Sequence, residues 1–286
     1  MGFCHLHVHS EFSLRDSLIK IDNLIEIIKG HGMDTVAITD HGAVSGILEF
    51  YLKCLENGVR PIIGIEAYAV KNITIQDREE KRRHIVLLAK NEKGYRNLVR
   101  LASVAGERGF YYVPRIDLRI LEKYREGLIC LTACCFSSIV YLMGEGGGDV
   151  LRIVRLLRNL FGRNLYLEIQ PHEMKEQKKH NILMDSIGRR LDLPLVATQD
   201  VHFYKKEDKE VHDVLMRIQG REPYTTDTIY LSTKDEMYAE FKSHDYLSRD
   251  TIREAISNTG VIADEIENYN IPIEQFFFPS FELRGV

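Results

Sequence analysis

Phe3-Cys4-His5-Leu6-His7-Val8-His9-Ser10, followed by Asp16, is the stretch from which the rest of the chain is read. Its histidines alternate with apolar residues, the period of a β-strand, so His5, His7 and His9 share one face. A half-buried strand ordinarily carries Val, Ile or Thr on that face. Imidazoles gathered at a strand end, with a carboxylate one short loop away, can converge on a divalent cation. The bland alternative is a surface strand with solvated histidines. What decides between them is whether the remaining chain brings more ligands to the same point.

Working outward, apolar strands recur at 35–39, 61–65, 84–89, 128–132, 165–169 and 195–198. Amphipathic helices are expected near 21–29, 45–56, 94–105, 149–161 and 176–191, so strand and helix alternate with short connections. That alternation implies a parallel sheet, and seven strands fit a closed barrel better than an open one. The fold expected is therefore α/β, a seven-stranded (β/α)7 TIM-like barrel. Residues 71–83 read as a polar loop and 106–118 as an excursion. Thr233-x-x-Glu236 and Ser248 mark the starts of two further helices, packed outside the barrel.

In such barrels chemistry collects at the carboxyl ends of the strands. Here those ends carry His9, His41, Glu66, Cys134, His172, Asp200 and His202. His84 misbehaves, standing at the start of its strand, and from the residues alone its place in the site stays open. The set is too large for one four-coordinate ion and too rich in carboxylate and imidazole for a structural zinc site. Clusters of two or three cations with bridging carboxylates clamp the oxygens of an in-line displacement at phosphorus. Phosphoester hydrolysis is the first class implied, and amide hydrolysis the second.

Composition excludes several other classes. The chain has 286 residues, 44% hydrophobic and 28% charged, with a net charge of −4. No apolar run approaches the roughly 20 residues that span a bilayer, and no signal-peptide layout opens the chain, so a cytoplasmic protein without membrane contact is expected. Without a basic face, duplex DNA is not bound by charge alone, although bound cations could supply positive charge at a site. The five cysteines form no disulfide framework.

The motifs His7-x-His9-Ser10, Thr39-Asp40-His41-Gly42, Ile63-Gly64-Ile65-Glu66 and Thr198-x-Asp200-Val201-His202 resemble those of the PHP (polymerase and histidinol phosphatase) family. His84 to Leu98, Phe110 to Asp117, Leu193 to Phe203 and Val211 to Leu215 are similar to one branch of it, the N-terminal domain of bacterial DNA polymerase III alpha subunits. The resemblance covers essentially residues 3–280. It implies a distorted seven-stranded (β/α)7 TIM-like barrel and, carried over position by position, one ion on His7, His9, Glu66 and Asp200, a second on Glu66, His84 and Cys134, and a third on Asp16, His41 and His202. Ser17 stands where the family often has Gly, and the residues after Cys134 depart from the usual pattern; neither change removes a ligand.

These expectations follow from the resemblance. The cofactors are two to three divalent ions, Zn²⁺ first and Mn²⁺ or Fe²⁺ as alternatives. The activity is metal-dependent phosphodiester hydrolysis, a 3′–5′ exonuclease with Glu66, Asp200 and His9 as catalytic residues. Partners would be the 3′ end of single-stranded or frayed DNA, a polymerase module of the same protein and a proofreading subunit. Residues 1–270 would form the metal-binding barrel with its appended helices, and 271–286 an apolar tail or linker toward an absent polymerase module. Arg115, with Tyr111 and Tyr112, could hold a phosphate and stack a base, and His172 could line the mouth. Two rivals stand beside this reading: a non-catalytic, metal-stabilised scaffold, and a small-molecule phosphatase of the histidinol phosphatase type. His5 is assigned to the core or to supporting the ligands, and His31, His180, His212 and His244 to surface or helix packing.

Overall fold

The computed structural model describes residues 2–80, 83–134 and 150–273. Expectations that fall on Lys81 and Arg82, on Cys135 to Gly148 and on the apolar tail from residue 274 lie outside the described residues. The strands are β1 (Thr35–Ile38), β2 (Arg60–Ala69), β3 (Arg83–Ala89), β4 (Arg115–Ile116), β5 (Leu128–Leu131), β6 (Leu165–Ile169) and β7 (Leu195–Ala197). They form one sheet in the order β1-β2-β3-β5-β6-β7, with β4 paired to the far end of β2. The opening stretch is not a laddered strand, yet it joins the two ends of that order. Ala37 N bonds His5 O and Thr39 N bonds Val8 O on one side; His9 N bonds Val201 O and Val201 N bonds His7 O on the other. The sheet thereby curls into a distorted TIM-like barrel.

One strand departs from the all-parallel expectation. β3 runs antiparallel to both β2 and β5. The reason is local: the link between β2 and β3 is a polar loop with no crossover helix, and a parallel return needs such a crossover. Reversal places His84 opposite Tyr68, near the carboxyl end of β2. The start of β3 is thus at the same mouth as the ends of the other strands, which removes the objection to His84.

Alternate residues on each strand point into the barrel and change character along its axis. Ile62, Val86, Leu88, Ile129, Leu131, Tyr166 and Val196 form an apolar layer that Ile262, Ala263 and Ile266 close from below. Above it the same faces carry Glu66, His84 and Glu168, all on inward-facing strand positions two or more residues on. Gly64 lies at the waist between the layers, where a Cβ would meet Leu88 Cδ2 at 2.7 Å and Leu87 O at 2.9 Å.

Helices α1 (Ile21–Gly30), α2 (Ile47–Glu56), α3 (Glu92–Glu107), α5 (Val150–Phe161) and α6 (Lys175–Leu191) bury their apolar stripes on the outside of the sheet. The expected starts at Thr233 and Ser248 are found: Thr233 and Glu236 cap α8 (Lys234–Ser243) reciprocally, and Ser248 accepts from Thr251 N at the head of α9 (Arg249–Glu265). Two helices were not expected, α4 (Leu118–Tyr124) and α7 (Lys209–Ile218). α7 is amphipathic in sequence but turns Val211, Val214 and Ile218 outward and buries His212 and Met216. No described helix is long and apolar enough to cross a membrane.

Candidate metal centre

The mouth of the barrel gathers ionisable side chains that the sequence scatters over almost two hundred residues. Among the described residues, three groups of donor atoms lie close enough to share an ion: His7, His9, Glu66 and Asp200; His41, Glu66 and His84; and His9, His41 and His202. Glu66 is fully buried and central. Its Oε1 is 3.2 Å from His7 Nε2 and 2.9 Å from His84 Nδ1, and its Oε2 is 2.6 Å from His41 Nδ1 and 3.6 Å from His9 Nε2. Asp200 Oδ1 stands 3.2 Å from His7 Nε2 and 3.0 Å from His9 Nε2. The first group is the ligand set that the resemblance implies for one ion. In the second, His41 stands where Cys134 was expected; in the third, His9 stands in place of Asp16. Asp16 Oδ1 lies 3.4 Å from His41 Nε2, beside that third group. Cys134 is buried and lines the inner end of the mouth with His172 and His202.

The surroundings fix which imidazole nitrogens are free to coordinate. Glu168 is fully buried, and its carboxylate accepts from Ala133 N, Gln170 Nε2 and Thr198 Oγ1 as well as facing His7 Nδ1 at 2.8 Å. An acceptor so placed keeps one His7 proton on Nδ1, so Nε2 is the nitrogen that faces the cluster. His9 is held by a relay. Ser13 Oγ donates to Asp40 Oδ1 at 2.7 Å, so it accepts from His9 Nδ1 at 3.1 Å, and again Nε2 is left toward the site. His202 donates Nδ1–H to the carbonyl of Asp200 at 2.6 Å.

These facing atoms have no hydrogen-bond partner: His7 Nε2, His9 Nε2, His202 Nε2, both oxygens of Glu66, Asp16 Oδ1 and Asp200 Oδ1 are buried without one. Buried donors and acceptors left with only these ion contacts to one another are costly in such number, and a shared cation satisfies them together. The donor set, imidazole and carboxylate, is that of a divalent-metal site. Burial alone would strip His7 and His41 of their protons, but the carboxylates around them outweigh it and hold both well above the ordinary imidazole value. Burial, reinforced by His41 and His202, pushes His9 down to about 3. Cation uptake therefore displaces protons from His7 and His41, while His9 is already neutral.

Glu168, Ser13, Asp40 and Arg221 are parts of the centre that sequence reasoning left unassigned. Arg221 Nη1 donates to Asp16 Oδ2; against burial, His41 above all, then His202 and Arg221, hold that carboxylate below its usual range. His212 Nε2 faces the backbone carbonyl of Asp16 at 2.7 Å, so α7 pins the same loop. His172 does line the mouth: Thr228 Oγ1 is 2.7 Å from its Nδ1, its Nε2 has no partner, and burial lowers it to about 4. His5 faces Ser232 O at 2.8 Å and joins none of the donor groups.

The substrate reading of Arg115 is corrected by its surroundings. It is 2% exposed, and its guanidinium donates to Gly109 O, Ile75 O and Ile73 O, each at 2.8 Å. It ties the loops 71–80 and 106–114 to β4. Tyr111 covers it, with the guanidinium 5.2 Å from the ring centre, while its neighbours Phe110 and Tyr112 line the open cavity together with Phe12, Tyr68 and Tyr224. Arg115→Ala leaves three carbonyls unpaired, so a loss of about 3 kcal/mol, or roughly 5–10 °C in Tm, is expected with metal content unchanged. Thermal melts beside elemental analysis check this. A loss of activity with an unshifted Tm would restore the phosphate contact.

The comparisons bear on this geometry. The family model described as PHP domain matches residues 5–172. The DNA polymerase III subunit alpha of Borreliella burgdorferi is 35% identical over 98% of this chain and 25% of its own length. That of Aquifex aeolicus is 40% identical over 76% of this chain and 20% of its own. That of Thermus aquaticus is 39% identical over 84% of this chain and 21% of its own. The chain thus spans about a quarter or less of the length of these curated relatives. Among solved structures, a candidate metal-dependent phosphoesterase from Bifidobacterium adolescentis is 17% identical and superposes with a TM-score of 0.44, over 70% of this chain and 87% of that one.

Proposed function

Since this chain belongs to the PHP domain family, of the type found in DNA polymerase III alpha subunits, we propose that it is a metal-dependent phosphodiesterase that trims DNA from the 3′ end. One observation carries the reading: buried imidazole and carboxylate atoms without hydrogen bonds converge at a mouth that opens to solvent. His7, His9, Glu66, Asp200, His41, His84, Cys134, Asp16 and His202 would hold two to three divalent ions, Zn²⁺ first by ligand type. Such ions supply an activated water and charge neutralisation for an in-line displacement at phosphorus.

The chain's own residues do the positioning. Glu168 and the Ser13–Asp40 pair fix the tautomers of His7 and His9. Glu66 spans two donor groups and so sets the distance between them. Asp200, beside His7 and His9 and partly exposed, is placed to accept a proton from the attacking water. Arg221 orients Asp16 through its hydrogen bond to Oδ2. In this reading residues 1–270 are the working unit, 271–286 lead toward a polymerase module, and that module and a proofreading subunit are its partners.

Two measurements test the proposal. Elemental analysis of protein purified without chelator should give two to three divalent ions per chain, and a reproducible value of one or less would sink the multinuclear centre. After chelation the fold should persist, because the layer beneath the site is built of Val, Ile and Leu. With Mn²⁺ or Zn²⁺ restored, a 3′-labelled single strand should be shortened; no release above the chelated control ends the exonuclease reading.

A further inference from the structure

Two large aromatics of one turn are left facing solvent. Phe110 is 60% exposed and Tyr112 59% exposed, and both line a cavity of about 920 Å³ whose inner wall carries Asp16, His41 and His84. The turn is built to hold them there. Gly109 passes so close to the next strand that a Cβ would stand 2.0 Å from Arg115 O. Tyr112 has φ 61, a left-handed conformation that a bulky residue rarely adopts, and Tyr111 N closes the turn on Val113 O at 3.1 Å. Beneath, the Arg115 guanidinium supports the Tyr111 ring, which packs edge-on against Tyr112 with centroids 4.7 Å apart. Arg115 is anchored in turn by three carbonyls, so the rings stand on a fixed base.

We infer that Phe110 and Tyr112 form a stacking platform for unpaired bases of a single strand whose terminal phosphodiester reaches the metal centre; this rests on the hydrolase reading above. The charges around the cavity favour that occupant over a duplex. Arg15, Arg78 and Arg221 are balanced there by Asp16, Glu79 and Glu80, and Arg221 is bound to Asp16. Among the described lining residues outside the metal centre little net charge remains to draw a polyanion by its backbone, so the choice between single strand and duplex falls to the ring faces, which only unstacked bases can meet. Tyr112 and Phe110 thereby select frayed ends.

The test uses the metal-loaded chain and a short DNA strand with phosphorothioate linkages, carrying 2-aminopurine near its 3′ end. Binding should quench the fluorophore. Phe110→Ala/Tyr112→Ala should raise Kd at least roughly 10-fold and remove the quench, while Tyr112→Phe keeps both. A blunt duplex of the same sequence should bind more weakly. Wild-type affinity in the double alanine variant with an unshifted Tm, or equal binding of the duplex, overturns the platform. Turnover of bis(4-nitrophenyl) phosphate by the wild-type chain reports the hydrolase separately. Turnover without ring-dependent strand binding sinks the platform alone, and ring-dependent binding without turnover sinks the hydrolase reading alone.

Discussion

Glu66→Gln is expected to empty two metal positions at once, leaving about one ion per chain and lowering phosphodiester hydrolysis roughly a thousand-fold or more. The expectation comes from where its two oxygens point. Oε1 faces His7 and His84, Oε2 faces His41 and His9, and the residue belongs to two of the three donor groups. An amide keeps the shape but loses the charge, and its nitrogen can only donate, so one side of the bridge is lost and the other weakened. Four imidazoles would then surround a neutral group. Elemental analysis and a melt of the variant read this directly. Retention of the full metal complement with unchanged stability would remove Glu66 from the bridging role.

Much of this site was legible because strand chemistry leaves a mark. Imidazoles at alternate positions 5, 7 and 9, and Asp-x-His at 200–202, are residues that a plain buried strand does not use. The misreadings have physical causes. His84 was on the wrong end only while every strand was taken as parallel; the missing crossover between β2 and β3 was the available signal that β3 reverses. Glu168 sits inside Leu165-Tyr166-Leu167-Glu168-Ile169, where a carboxylate in an apolar run could have been read as facing a partner, but nothing local says that the partner is His7. Arg115 was misassigned because an arginine beside tyrosines looks alike whether it meets a phosphate or three backbone carbonyls. Only the tertiary path of residues 73–75 separates the two.

Asp200→Asn should abolish hydrolysis and leave the fold standing, and it divides the enzyme from the scaffold. Asp200 has φ 49, in the left-handed region that asparagine and aspartate tolerate better than other side chains. Asn is therefore the informative substitution, since Ala would add backbone strain to the loss of the carboxylate. Asp200 Oδ1 faces His7 and His9, whereas its backbone carbonyl, which Asn keeps, accepts from His202 Nδ1. His202 should accordingly hold its place with His41 and Asp16, and one metal position should survive. Burial would raise the Asp200 carboxyl, but His7, His202 and His9 outweigh it and hold it below the usual carboxylate range. Activity should fall roughly a thousand-fold or more, while Tm moves by only a few degrees, about 1 kcal/mol. The measurements are nucleotide release from a 3′-labelled single strand with Mn²⁺ or Zn²⁺, and melts of both proteins. If the wild-type chain releases nothing above its chelated control and Asp200→Asn melts far lower, the ions hold the barrel together and the domain supports a polymerase without cutting.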